Sequence, residues 1–171
     1  MTRIIIIAFA ITTLLGCEHL DKKVKLEKII FHTSMCLGTC PSFHLQVDNK
    51  KEVKLYAEQV YKNPQDSGSY GTDTTKTGYF LGILSDTTFN KLTNELCAID
   101  LESLEFDGAN CCDGSLITII VYYNGRKKLL KSMFPPEKAD KLIGILYDIC
   151  EKSTLRRSSQ KFEIENEKAN R

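Results

Sequence analysis

The chain has no apolar run long enough to cross a membrane as a helix. Its longest, Ile4 to Leu15, holds twelve apolar or small residues, against about 20 needed to span about 30 Å of hydrocarbon. It has no excess of either charge: 23 Lys and Arg stand against 22 Asp and Glu, for a net charge of +1. That balance excludes the basic footprint with which proteins replace the counterions of nucleic acid. No internal repeat is present. There is no phosphate-cradling Gly-rich loop, no nucleophile elbow and no zinc-protease motif, so no cofactor is expected and the chain is not read as an enzyme. Its 171 residues fit one ordinary domain. One residue type is abundant: seven cysteines in so short a chain is both many and odd.

The first of them, Cys17, settles the oddness. Arg3 supplies a positive start, Ile4–Leu15 has the length of a signal-peptide core, and Leu14-Leu15-Gly16-Cys17 resembles the lipobox of bacterial lipoproteins. The resemblance implies a signal peptide over 1–16 and a lipidated Cys17 as the first mature residue, on a polar tether over 17–23. Acyl chains contribute about 0.8 kcal/mol per buried methylene, and two or more anchor a protein stably. The expected address is therefore the bacterial cell envelope, lipid-anchored. Glu18, standing where Asp would favour retention in the inner membrane, points to the outer membrane, on its periplasmic or surface face.

The remainder predicts one α+β domain over 24–152. A β-branched and aromatic run in Val24–Thr33 suits a first strand. Phe43, Leu45 and Val47, then Val53, Leu55 and Ala57, alternate with polar residues, the period of a half-buried hairpin over 43–58. Tyr79–Leu84 reads as a fourth strand. Ser85 or Asp86 caps a helix carrying Phe89, Leu92, Leu96 and Ile99 on one face. Leu116–Tyr123 is the most apolar run of the mature chain and reads as a central strand. Asn124-Gly125 suits a type I′ hairpin turn, Arg126–Met133 is its partner strand, and Pro135-Pro136 opens a second helix with Leu142, Ile143, Leu146 and Ile149 on one stripe. The order β-β-β-β-α-β-β-α predicts a mainly antiparallel sheet of about five or six strands with two helices packed on one face. Residues 153–171, charged and poor in apolar side chains, are expected to form a disordered tail.

Six cysteines remain: Cys36, Cys40, Cys97, Cys111, Cys112 and Cys150. Outside the cytoplasm such thiols form disulfides. Cys97 and Cys150 lie near the C-terminal ends of the two predicted helices, so a Cys97–Cys150 bridge is favoured if those ends approach within about 4.4–6.8 Å between Cα atoms. Cys36 and Cys40 either cross-bridge to Cys111 and Cys112 or bond each other. Adjacent cysteines rarely bond across an ordinary trans peptide, so Cys111 and Cys112 are expected to find separate partners. A four-thiolate metal site of Cys36, Cys40, Cys111 and Cys112 is the rival, weakened because Cys111-Cys112 lacks the usual ligand spacing. Redox activity is weaker still without a Cys-x-x-Cys pair.

The segment Cys36-Leu37-Gly38-Thr39-Cys40-Pro41-Ser42-Phe43 resembles the Cys-x-Gly-x-Cys-Pro-x-Tyr/Phe signature of an uncharacterised family of small bacterial envelope proteins. That family is known as a domain of unknown function, and many members are lipoproteins. The resemblance covers roughly 24–150 and implies no activity, substrate or catalytic residue.

Other candidate chemistry is sparse. His32 lies near Cys36, the spacing of a conceivable Cys-His nucleophile pair, while His44 falls on a polar strand face and His19 in the tether. Asp100, Glu102, Glu105, Asp107 and Asp113 form an acidic stretch without EF-hand spacing. The polar segment 59–77 is long for a loop inside a compact domain, and such loops are often functional. Its Tyr61 and Tyr70 are the candidate contact residues. The reading is a lipid-anchored envelope module that binds or supports an assembly, with the membrane and an envelope protein or glycan as partners and no nucleic acid. The alternatives are a thiol- or metal-handling protein and an unrecognised hydrolase.

Overall fold

The computed structural model describes residues 24–62, 71–152 and 154–167. Seven strands form one antiparallel sheet: β1 (Leu26–Thr33), β2 (Ser42–Asp48), β3 (Glu52–Gln59), β4 (Gly78–Ile83), β5 (Ile117–Tyr123), β6 (Arg126–Ser132) and β7 (Arg156–Arg157). Their spatial order is β6-β5-β1-β2-β3-β4-β7. Two helices of 13 residues complete it: α1 (Asp86–Ala98) follows β4, and α2 (Asp140–Lys152) follows a 3₁₀ turn at Glu137–Ala139.

This corrects the expected fold. The sheet has seven strands where five or six were predicted, and the domain is nearly all sheet with two short helices, not a sheet with a helical layer packed on one face. The additional strand comes from the expected tail. Arg156 and Arg157 pair with Leu81 and Phe80, and so satisfy edge groups of β4 that would otherwise be unpaired. No hydrophobic alternation marks two arginines as a strand, because backbone hydrogen bonding recruits them.

Alternation sorts the sheet into two faces. Phe31, Phe43, Leu45, Val47, Val53, Leu55, Ile119, Val121 and Leu130 enter the core with Leu92, Leu96, Leu142, Leu146 and Ile149 of the helices. Tyr147 of α2 meets Phe31 and Phe43 edge-on, with ring centroids at 5.2 and 6.2 Å. A register shift between Leu26 and Lys28 lets Leu26 and Ile29 both reach the core although they stand three positions apart, an odd number. The Ser85 side chain accepts the Thr88 N–H as the cap of α1. Asn124 and Gly125 take φ of 51° and 70°, as the β5–β6 turn requires.

The second face carries one cross-strand row in register: Lys131, Thr118, His32, His44, Tyr56 and Tyr79, on β6, β5, β1, β2, β3 and β4. Residues 158–167 run over this row as a strap. Ser158 N–H donates to the Tyr79 carbonyl, Phe162 packs edge-on against Tyr79 at 5.1 Å, and Glu165 reaches β1, β5 and β6. The described part of the segment expected to be a disordered tail is thus a docked element. The signal peptide and tether, 1–23, lie outside the described residues.

Candidate functional site

A cleft of about 350 Å³ opens where β3 runs out beside the C-terminal end of α2, within the size range of small-molecule pockets. Its floor is apolar. Phe43 and Leu55 come from the core faces of β2 and β3, Val60 from the chain beyond β3, Phe80 from β4, and Leu155 from the chain entering β7. Its rim is cationic: Lys62, Lys76 and Lys152 line it with a single carboxylate, Glu151. Lys152 bonds Asp148 at 2.6 Å and Lys76 stands 3.8 Å from Asp73, whereas Lys62 makes no ion pair with any described residue.

The expected binding loop supplies one wall. The chain beyond β3 continues as an irregular ribbon, with Lys62 N–H donating to the Gly71 carbonyl, Asp73 N–H to that of Val60, and Tyr61 bridged to Thr72. Tyr61, half-buried, lines the cleft. Tyr70, the other candidate, lies outside the described residues, as does 63–69. Asp73 turns the returning chain by accepting the Thr75 N–H and hydroxyl. The Thr75 hydroxyl bond is the chief reason its carboxyl titrates below the usual range. Lys76 and Thr75 are thereby fixed at the mouth.

On the second face the histidines meet each other instead of a cysteine. His32 Nδ1 lies 2.9 Å from His44 Nδ1, and His32 Nε2 lies 2.8 Å from the Glu165 carbonyl. A carbonyl only accepts, so Nε2 of His32 carries a proton; its neutral Nδ1 then accepts from His44. His44 Nε2 is 3.5 Å from the Glu58 carboxylate, and His44 stacks on Tyr56, which stacks on Tyr79. Burial pulls the His32 pKa below its ordinary value and the His44 charge adds to that, against the Glu165 carbonyl bond, which raises it. The row holds proton-carrying groups, and among the described residues the nearby Ser42 is no free nucleophile: it is 1% exposed and donates to Glu58 and the Thr33 carbonyl. Glu165 clasps the strap. Burial pushes its carboxyl up, but hydrogen bonds from Lys28, Tyr122 and Lys127 overcome this and hold it at about 2.

Of the two pairings left open for Cys36 and Cys40 the local one is found, and two other cysteine expectations need correction. Cys36 and Cys40 bond each other, with Cα atoms 5.5 Å apart, which removes both the four-thiolate metal set and a Cys36–His32 nucleophile. Cys97 and Cys150 are not bonded. Cys97 follows Leu96 and has turned out of the buried stripe to solvent. Burial, with a smaller push from Glu151, drives the Cys150 thiol well above its ordinary range. Cys111 and Cys112 have no separate disulfide partners among the described residues, and their sulfurs lie 2.8 Å from each other.

The acidic stretch is dispersed: Glu102 pairs with Arg126, and Asp107 accepts from Ser132 and Ala109. Among the described residues no three His, Cys, Asp or Glu side chains are grouped to hold a metal.

Lys62, Lys76, the end of α2 and Leu155 were invisible as a site because the cleft joins four separate chain segments. The strap had one signal: Phe162 and Ile164 are the only large apolar residues after Leu155.

No curated protein matches the chain in sequence. Residues 27–147 match the family DUF6438, described as a domain of unknown function, and the chain belongs to that family.

Proposed function

We propose that this protein is a lipid-anchored module of the bacterial envelope, held in the outer membrane through Cys17, and that it works by binding a small ligand in the cleft beside Tyr61. The lipobox-like Leu14-Leu15-Gly16-Cys17 supports the anchor. The cleft carries the binding reading, because its apolar floor and lysine-bearing rim suit a ligand with an apolar body and one acidic group. Phe43, Leu55 and Phe80 would cover the body. Lys62, the rim cation without a described ion-pair partner, would meet the acid.

Two measurements test this. Metabolic labelling of cells with an alkynyl fatty acid should tag the wild-type chain and not Cys17→Ser; equal labelling, or none, refutes the anchor. For the cleft, dodecanoate should raise the unfolding temperature more than dodecanol does, since a ligand that binds only the folded state stabilises it by mass action. Lys62→Glu should remove the difference. Equal shifts for the acid and the alcohol, or no shift with either, refute the ligand class.

A further inference from the structure

The Cys111-Cys112 loop is pinned at both ends and turns sharply between them. Before the cysteines, the Ala109 carbonyl accepts the Met133 N–H and the Ala109 N–H is held by Asp107. After them, the Asp113 carbonyl accepts the Leu37 N–H. Cys112 takes φ of +67°, a left-handed conformation that non-glycine residues seldom adopt. That turn brings two exposed thiols to 2.8 Å, about 0.8 Å beyond a sulfur–sulfur bond. Adjacent Cα atoms across a trans peptide are about 3.8 Å apart, below the range of about 4.4–6.8 Å that disulfides occupy without strain. A bond here forms readily because the sulfurs are together, and breaks readily because the backbone opposes it. Strained, exposed disulfides are the labile ones. Cys36–Cys40, at 5.5 Å between Cα atoms, is under no such constraint.

The neighbouring loops present apolar side chains to solvent. Leu37 is 82% exposed, Phe134 57% and Met35 54%, and Leu37 and the residue before Phe134 are the ones hydrogen-bonded to the two ends of the cysteine loop.

We propose that Cys111 and Cys112 form a redox-labile dithiol–disulfide couple that exchanges with a disulfide of a polypeptide partner. One thiolate attacks a partner sulfur and expels the other as a thiolate, leaving a mixed disulfide. The neighbouring cysteine loses its proton and attacks the protein sulfur of that bond, closing Cys111–Cys112 and releasing the second partner thiol. In this direction two protein thiols are oxidised and one partner disulfide is reduced to two thiols; because the Cys111–Cys112 bond is the strained one, the reverse exchange, in which two partner thiols reduce it and close their own disulfide, is the favoured direction. Both thiols are exposed and share one hydrogen bond, so either can make the first attack while the other stands ready to resolve the mixed disulfide. The exposed Leu37, Met35 and Phe134 give the partner chain its contact. None of this depends on the cleft.

The test uses the full chain, equilibrated over a series of oxidised to reduced glutathione ratios, quenched in acid, alkylated and mapped by peptide mass. The Cys111-Cys112 peptide should pass from two alkylations to none, without bound glutathione, at more oxidising ratios than Cys36–Cys40. In Cys111→Ser the remaining Cys112 should stay as a glutathione mixed disulfide. Double alkylation at every ratio, a stable mixed disulfide in the wild type, or earlier reduction of Cys36–Cys40 overturns the couple. For the partner, Leu37→Ser should slow exchange with an extended disulfide-bonded peptide about tenfold and leave the rate with oxidised glutathione unchanged; equal effects on both overturn the polypeptide assignment.

Discussion

Replacing Glu165 with glutamine should release the strap from the sheet while leaving the core folded. Glu165 accepts from Lys28 at 2.6 Å, Lys127 at 3.2 Å and Tyr122. The carboxylate is 16% exposed and the two lysines 29% and 30%. A hydrogen bond to a charged group contributes about 1.5–3 kcal/mol when well buried, and an exposed ion pair about 0–1. With the lysines near one-third exposed, about 1 kcal/mol for each of the three contacts is reasonable after solvent screening, so about 3 in all. The amide of Glu165→Gln keeps one acceptor and loses the charge, so about 2 kcal/mol disappears, a roughly 30-fold increase in strap opening. Amide hydrogen exchange over residues 158–167 at pH 7 reads this directly as local opening.

The same clasp has an acid limit. The folded carboxyl titrates at about 2 against an ordinary 4.5, so its contribution is complete above about pH 4.5 and is lost as pH falls toward 2. Wild-type exchange, corrected for the intrinsic rate, should therefore show progressive opening of the strap from pH 4.5 to 3, and Glu165→Gln should show little further change. Less than a twofold effect of the substitution at pH 7, or the same acid response in both proteins, would refute the clasp.

His32 carries a second pH dependence. Burial keeps its folded pKa below 6.5, so the unfolded chain takes up the proton first and stability falls as pH drops through 6.5 toward the folded value. Urea midpoints at pH 7.5, 6.5 and 5.5 should decline in the wild type and flatten in His32→Gln; parallel slopes would exclude His32 as the source. Glu95 is 7% exposed and pairs with the outer Lys141. Lys141→Met should cost about 1 kcal/mol by leaving a buried carboxylate uncompensated, and Glu95→Leu added to it should restore that loss; chemical denaturation of the single and double variants checks the asymmetry. Cys36→Ser should cost about 2 kcal/mol from the chain entropy of a loop closed over a separation of four residues, seen as a lower urea midpoint in the variant than in the oxidised wild type.

The elements were legible where one short-range rule decided them. Six strands and both helices lie within a few residues of the periods that predicted them, because alternation and 3.6-residue spacing are imposed by burial of one face and need no knowledge of the partner. The Asn124-Gly125 turn and the Ser85 cap were legible for the same reason, since each is closed by atoms within three or four residues.

Pairing across the fold was not legible in this way. Cys97 sits close enough to the apolar stripe of α1 to suggest a bridge, but one residue is about 100° of helix rotation, and that turns it to solvent. Cys111 and Cys112 looked unable to meet, yet a left-handed residue in a loop tied to β6 and to the Cys36–Cys40 segment brings their sulfurs together. The tail looked too polar to dock; what holds it is the edge of β4, the Tyr79 ring and three donors converging on Glu165 from three strands. None of those partners lies within thirty residues of the group it binds.

From its sequence alone, the chain determined its strands, helices and tight turns, because each satisfies itself locally through side-chain period and backbone geometry. Only the tertiary structure decided which thiols meet, how Tyr61 and three lysines come to share one cleft, and that Glu165 anchors a strap. Those outcomes depend on distances between segments far apart in the chain, and strand order sets them where composition cannot.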